Sequence, residues 1–405
     1  MIKREGYIRQ ITGYIDKPLI KIISGIRRSG KSIILKQIQD ELKNNGIGEE
    51  RIIYINFESF DFSDLKDAGA LYDFVKKKIK GKKRHYLFFD EIQEVEAWEK
   101  AVNAFQVDFN CDIFITGSNS HLLSSELATF LAGRYVQFTV YPLSFNEFLQ
   151  FRKTYVSDRP GNIYDDFIDF LRLGGFPVVH TANYSMEQAY KIIYDIYSSV
   201  ILRDVVQRYK IRDIELLERI VKFVFNNIGN TFSAKSISDY FKSQRRRLDI
   251  ATVYTYIKAL ESSYIIYRIN RFNIQGKEIL KTNEKYFIGD HSLLYALMGF
   301  KDRLISGVLE NMVMLELKRR GYNVFIGKLD NLEVDFLAEK QNRKIYLQVA
   351  YKMTGTETFD REYKPLLKIK DNYDKYVLTT DEIWNDNVEG IKHMHIADFL
   401  LQKCY

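Results

Sequence analysis

An α/β fold, with a parallel sheet covered by helices on both faces, is predicted for roughly the first 140 residues. Two observations predict it. Apolar runs recur at 19–24 (LIKIIS), 51–57 (RIIYINF), 85–90 (HYLFFD), 111–117 (CDIFITG) and 134–140 (RYVQFTV). Stretches with apolar residues at helical spacing separate them, around 31–45, 71–80, 96–108 and 121–131. A strand that is apolar at successive positions has no face to offer water, and intervening helices are the usual cover. In such a sheet a ligand is expected at the carboxyl ends of the strands.

The chain of 405 residues is long enough for two to four domains. Its 46% hydrophobic and 28% charged residues describe a soluble globular protein. The two cysteines, Cys111 and Cys404, exclude a disulfide framework and lack metal-ligand spacing. No apolar run reaches bilayer length and no apolar leader follows MIKREGYIRQ, so a cytoplasmic protein without membrane contact is expected. The net charge of +7 permits a nucleic-acid partner without requiring one. The histidines of HMH (393–395) alternate as a strand does, which favours structure over metal binding.

Directly after the first strand comes GIRRSGKS: Gly25, Ile26, Arg27, Arg28, Ser29, Gly30, Lys31 and Ser32. It matches G-x-x-x-x-G-K-[ST] in a strand–loop–helix context. Glycines let backbone N–H groups approach phosphate oxygens, and the following helix points its free N–H groups and positive dipole end at the anion. Lys31 is expected on the β- and γ-phosphates of ATP, and the Ser32 hydroxyl on Mg²⁺. Arg27 and Arg28 are expected to point outward, toward other anions, a lid or a partner domain.

HYLFFDEIQ ends a strand in Asp90 and Glu91, the Walker B pattern. Asp90 is the candidate Mg²⁺ residue and Glu91 the candidate that polarises the attacking water. The additional strand 51–57 implies that 19–24 is flanked by 85–90 and then by 111–117. TGSNS follows that last strand, so Thr116, Ser118 and Asn119 are expected beside Asp90. Asn119 is the candidate water-orienting residue, although the serines here serve equally well as caps of the next helix. Arg134 is a candidate for the γ-phosphate, in cis or from a neighbouring subunit, with a surface salt bridge as the alternative.

GIRRSGKS, FFDEIQEVEAWEK, FITGSNSHLLSSELATFLAGRYVQFTVYPLSFNEFL and, later, ILRDVV together resemble a widespread family of prokaryotic AAA-type ATPases. In that family a domain of unknown function follows the ATPase core. The resemblance covers almost the whole chain. It implies a P-loop ATPase with an additional strand (1–144), a helical lid (145–225), a winged helix-turn-helix (226–300) and a degenerate restriction-endonuclease-like domain (301–405).

Within the expected winged helix, FKSQRRR places Lys242, Arg245, Arg246 and Arg247 before the second helix, where they suit phosphate contacts with duplex DNA. That helix offers few side chains for base edges, so contact without sequence preference is expected, with packing between domains as the alternative. In the tail, Glu310 and Asp335 occupy acidic positions of the nuclease-like pattern, but Gln348 stands where an acid belongs and Ala350 where a lysine belongs. Lys352, two residues on, is the candidate replacement lysine. A nuclease needs metal-binding carboxylates and a cation near the hydroxide, so cleavage is not expected. The expected function is an ATP-hydrolysing switch or motor acting with nucleic acid, possible as a nucleotide-dependent homo-oligomer. The rival is a non-catalytic nucleotide-dependent scaffold for a protein partner, and behind it an ATP-gated nuclease.

Overall fold

The computed structural model describes residues 2–120, 133–156, 161–244, 248–353, 355–382 and 387–403. They form two compact units: Met1–Val140 with Ser262–Tyr264, and Tyr141–Glu261 with Ile265–Tyr405. The helix expected at 121–131 lies outside the described residues.

The first unit contains β1 (Ile20–Ser24), β2 (Ile52–Asn56), β3 (His85–Asp90), β4 (Cys111–Gly117) and β5 (Tyr135–Thr139). All are parallel, in the order β2-β3-β4-β1-β5. This corrects one expectation. The direct neighbour of β1 is β4, with Ile22 opposite Ile115, and β3 lies one strand further out. The three inner strands are almost equally apolar and buried, so composition does not rank them.

Alternation along each strand fills both faces. Ile22, Leu87, Phe89 and Ile115 pack against α3 (Ala68–Lys78) and α4 (Trp98–Asp108). Ile23, Phe88, Phe114 and Val140 pack against α1 (Glu5–Thr12) and α2 (Lys31–Asn44). Each such side chain, fully buried, contributes about 1.5–3 kcal/mol.

The second unit begins with α5 (Phe145–Tyr155), α6 (Ile163–Leu173) and α7 (Met186–Ser199), which runs into a π-helical turn over Val200–Gln207. Next come α8 (Ile214–Asn226), β6 (Thr231–Phe232), α9 (Ala234–Ser243), α10 (Ile250–Ser262) and the hairpin β7 (Ile266–Asn273) and β8 (Glu278–Ile288). After α11 (Ser292–Met298), α12 (Ile305–Arg319) is buried at nearly every position to Leu317, as befits a helix enclosed on all sides. Three antiparallel strands follow, β9 (Asn323–Leu329), β10 (Leu332–Lys340) and β11 (Arg343–Val349). The chain ends with α13 (Thr356–Leu367), β12 (Asp374–Thr379), β13 (Asn387–Val388), β14 (Ile391–His395) and α14 (Ile396–Leu401).

A parallel pairing of β7 with β9 joins the hairpin to the later strands, so one nine-stranded sheet runs from β6 to β13. In β14, His393 lies between the Tyr363 hydroxyl at 2.9 Å and the Thr379 hydroxyl at 3.0 Å, and the Nδ1 of His395 accepts the Ala397 N–H at 3.0 Å. Both histidines are structural strand residues.

One polar pair interrupts the first core. Lys21, in the middle of β1, donates to Asp112 on β4 with both side chains buried, and its ammonium lies 5.0 Å from the Phe114 ring centre. Burial pushes the lysine pKa down and the aspartate pKa up, each opposed by the partner's charge. Removing one partner strands the other. Lys21→Ala is expected to cost about 3–5 kcal/mol in urea unfolding, whereas Lys21→Met with Asp112→Leu recovers much of that loss. A loss below about 1 kcal/mol, the level of an exposed pair, would mean that the pair does not hold this strand junction.

Candidate functional site

β1 ends at Ser24, and the chain must turn away without a side chain at the next position. Gly25 has φ +146°, and a Cβ there would lie 2.1 Å from the Val140 carbonyl oxygen. Arg28 and Gly30 are also left-handed, at φ 68° and 98°, and Gly30 caps α2. The resulting loop carries Gly25 through Ser32 over the carboxyl ends of β1 and β4, with the α2 amino terminus facing it and no acid in the first helical turn. Lys31 folds back so that its ammonium donates to the carbonyls of Gly25 at 3.1 Å and Ile26 at 3.3 Å. Arg27 does not point outward as expected, since it is buried and pairs with Glu58 at 2.7 Å, whereas Arg28 is exposed. The Ser29 hydroxyl is buried with no hydrogen-bond partner among the described residues.

Two supports of this loop carry no motif. Arg4, buried just before α1, donates to the Ser29 carbonyl at 2.8 Å and its guanidinium lies 4.6 Å from the Tyr7 ring centre. The Tyr264 hydroxyl donates to Ser24 Oγ at 2.8 Å, and burial raises the tyrosine pKa to about 12. A single arginine in KREG and a single tyrosine in SSY give no sequence signal for these contacts.

Asp90 is fully buried at the tip of β3. Tyr54 donates to its Oδ2 at 2.9 Å and Thr116 to its Oδ1 at 2.5 Å. Thr116 also accepts the Glu91 N–H at 2.9 Å, which fixes Glu91 as it turns through φ 55°. The Glu91 carboxylate lies 3.6 Å from Lys31 and accepts from Gln93 Nε2 at 2.5 Å. Burial works against its charge, but Lys31, the Gln93 hydrogen bond and Arg27 outweigh burial and hold its pKa below the usual range. The carboxylate is therefore ionised at neutral pH. Thr116 was expected beside Asp90, and the structure adds Tyr54 and Gln93. Ser118 and Asn119 are buried directly after β4.

Arg134 does not join this group in its own chain. The Ile20 N–H donates to its carbonyl, and Tyr135 pairs with Ile20 while Thr139 pairs with Ser24. Arg134 is exposed at the amino edge of the sheet, and the β1 span alone separates it from the loop by about 13 Å. Of the two placements left open for it, in cis or from a neighbouring subunit, the cis one is not met in this chain.

In the second unit, Lys242 is exposed in the last turn of α9, and Arg245, Arg246 and Arg247 lie outside the described residues. Glu310 on α12, Asp335 on β10 and Gln348 on β11 do come together. Lys285 of β8, which sequence reading missed, stands among the acids at 3.0 Å from Glu310, 2.9 Å from Glu333 and 3.7 Å from Asp335. Its only sequence signal is a charge inside the apolar alternation of EKYFI. Burial raises the Glu310 pKa to about 8 against the pull of Lys285. Lys352 is not its replacement: β11 ends at Val349, and Lys352 is exposed with its ammonium 5.6 Å from the Tyr351 ring centre.

A family model for an AAA domain matches residues 17–149, and one for a domain of unknown function matches 164–304. A Haemophilus influenzae protein described as uncharacterized is 40% identical over 404 residues, covering 99% of each chain. A Methanocaldococcus jannaschii protein, also described as uncharacterized, is 34% identical over 396 residues, 94% of this chain and 85% of its own. The Walker-type ATPase PABY2304 of Pyrococcus abyssi shares the fold, with a TM-score of 0.51 at 17% identity over 73% of this chain and 96% of that one.

The close approach at Gly25 is testable against a second left-handed glycine. Gly46, at φ +83°, has nothing within 4 Å of its notional Cβ. Gly46→Ala is expected to cost only the conformational strain of about 1–2 kcal/mol. Gly25→Ala adds a collision with fixed backbone worth about 1–3 kcal/mol more. Thermal unfolding of the two variants reads the difference, and equal losses would refute the collision.

Proposed function

The chain belongs to one family with its Haemophilus influenzae and Methanocaldococcus jannaschii relatives and carries an AAA domain, and we propose that it hydrolyses ATP with Mg²⁺ as a switch or motor on nucleic acid. The observation that carries the reading is the meeting of Lys31, Asp90, Glu91 and Thr116 beside the α2 amino terminus. The residues fit a nucleotide. The loop from Gly25 turns into the acid-free amino terminus of α2, and Ser29 holds a buried hydroxyl with no hydrogen-bond partner among the described residues, ready for a phosphate oxygen.

Lys31 exchanges its carbonyl contacts for the β- and γ-phosphates, which also releases Glu91 from their ion pair. Glu91, oriented through its N–H by Thr116, then accepts a hydrogen bond from the attacking water. Ser32 and Asp90 are the residues to hold Mg²⁺, which when bound offsets the charge on the phosphate oxygens. Tyr54 and Thr116 aim Asp90 for that task. Asn119 stays the candidate for orienting the water, and Arg134 serves only from a second copy of the chain.

For the nucleic acid, the order α9, α10 and hairpin is that of a winged helix, and exposed Lys242 precedes Arg245–Arg247 in sequence. At the carboxyl end of α9 a groove of about 480 Å³ is lined by Arg219, Lys222, Tyr240 and Gln244, with no acid among its described lining residues. This favours contact with duplex phosphates rather than base reading. The ion pair between Lys31 and Glu91 favours a second reading, a nucleotide-dependent scaffold for a protein partner in which the catalytic groups stay engaged with each other.

A phosphate-release assay separates the two readings. Turnover by the parent chain supports hydrolysis, and tight ATP binding without release supports the scaffold. Lys31→Ala is expected to lower affinity and to reduce turnover by about 10²–10³-fold. Glu91→Gln should bind as the parent does and lose most turnover; a parental rate would remove Glu91 from the mechanism.

The basic turn is tested separately. Replacing Arg245, Arg246 and Arg247 with Ala is expected to weaken binding to all duplex sequences alike. The slope of log K against log salt should become shallower by about 0.9 per lost contact. An unchanged slope would leave the helix-turn-helix with a packing role only.

A further inference from the structure

The nuclease-like order of parts in the tail calls for a divalent ion held by Glu310, Asp335 and the residue at 348. The donor set does not fit one. Lys285 already occupies the space those groups enclose, with its side chain 3% exposed and its ammonium in reach of three carboxylates. An ammonium has three N–H donors, and here three acidic residues from two elements face it. The 3.0 Å and 2.9 Å separations to Glu310 and Glu333 are those of N–H···O bonds and the 3.7 Å one to Asp335 is an ion-pair contact, whereas Mg²⁺ draws oxygens to about 2.0–2.1 Å.

The groups around it are tied together by hydrogen bonds of their own. Asp335 sits where the β9–β10 register shifts, between Val334 and Leu337, so its N–H is released from the ladder. That N–H donates to Gln348 Oε1 at 2.7 Å, and Asp335 Oδ2 accepts the Val349 N–H at 2.8 Å. Gln348 Nε2 donates to Glu362 at 3.0 Å. An acid at position 348 could accept but not donate, and would repel Glu362. Glutamine suits both contacts because its amide carries an acceptor oxygen and a donor NH₂.

We infer that Lys285 is the resident cation of this cluster and takes the place of the divalent ion that the nuclease-like order calls for. The site is a staple. Its lysine, from the strand that closes the helix-turn-helix segment, binds acids on α12 and β10, and no metal enters while the ammonium is there. The inference does not depend on the ATPase reading, since none of its residues belongs to the nucleotide loop.

Electron paramagnetic resonance of Mn²⁺ with the full, nucleotide-free chain tests it. The parent and its Asp335→Ala variant are expected to bind the same amount of Mn²⁺. Lys285→Ala should gain one site, at least about tenfold tighter than any parental binding at the cluster, and Lys285→Ala with Asp335→Ala should lose it. Lys285→Arg, which keeps the positive charge, should gain none. Failure of a folded Lys285→Ala protein to gain a site would overturn the inference. So would Mn²⁺ binding by the parent that disappears in Asp335→Ala. Should Lys285→Ala not fold, crystals of the parent soaked in MnCl₂ decide the matter: an anomalous peak between Glu310 and Asp335 refutes the resident cation, and none there upholds it.

Discussion

The site in the first unit depends on how closely the backbone at Gly25 passes the Val140 carbonyl. The Val140 N–H donates to the Ser24 carbonyl at 2.7 Å, so the chain beyond β5 is fastened to the last residue of β1. The next residue must then leave the sheet past a carbonyl oxygen that it cannot displace. With that departure fixed, the loop closes over five residues, α2 starts at Lys31, and the lysine returns to the Gly25 and Ile26 carbonyls. Its ammonium thereby reaches Glu91, which Thr116 has placed from the other side. Backbone sterics at one residue thus set the distance between two catalytic candidates.

Charge inside the protein follows how many partners each buried ion has. Lys21 and Lys285 are both lysines in apolar strands with side chains at most 3% exposed. Burial alone drives both toward neutrality. Lys21 has Asp112 in contact, with the weaker pull of Asp16 opposed by Arg84, and its pKa falls; Lys285 has three acids around it, and its pKa rises. One partner does not offset desolvation of this kind, and three do. Glu91 makes the same point from the acidic side, since two cations and an amide overcome its burial.

Much of this architecture was legible in the sequence, because periodicity and short motifs are local signals. The five strands, the phosphate-type loop and the acidic strand tip all lie where alternation and spacing place them. The order of the inner strands was not legible, since β1, β3 and β4 are about equally apolar. The groups that aim the site were hidden for a related reason. Tyr54 lies 36 positions from the Asp90 it serves, and Arg4 lies 25 from Ser29. Such contacts follow from tertiary packing and leave no pattern in the residues around them. Lys285 is the sharpest case. Sequence spacing pointed to Lys352 for the nuclease-like cluster because it sits close to Ala350, but the strand ends first and a different sheet strand supplies the cation.

The parallel pairing of β7 with β9, at Arg271, Phe272 and Asn273, makes the segment from α9 to β8 and the tail one hydrogen-bonded object. A chain cut after residue 300 would leave β7 with a bare row of N–H and C=O groups, a template for pairing between molecules. Lys285 would lose Glu310, Glu333 and Asp335 in the same cut and remain as an unpaired cation. A fragment ending there exposes a strand edge that the whole chain keeps covered. The pairing thus makes the two segments depend on each other for a covered sheet edge.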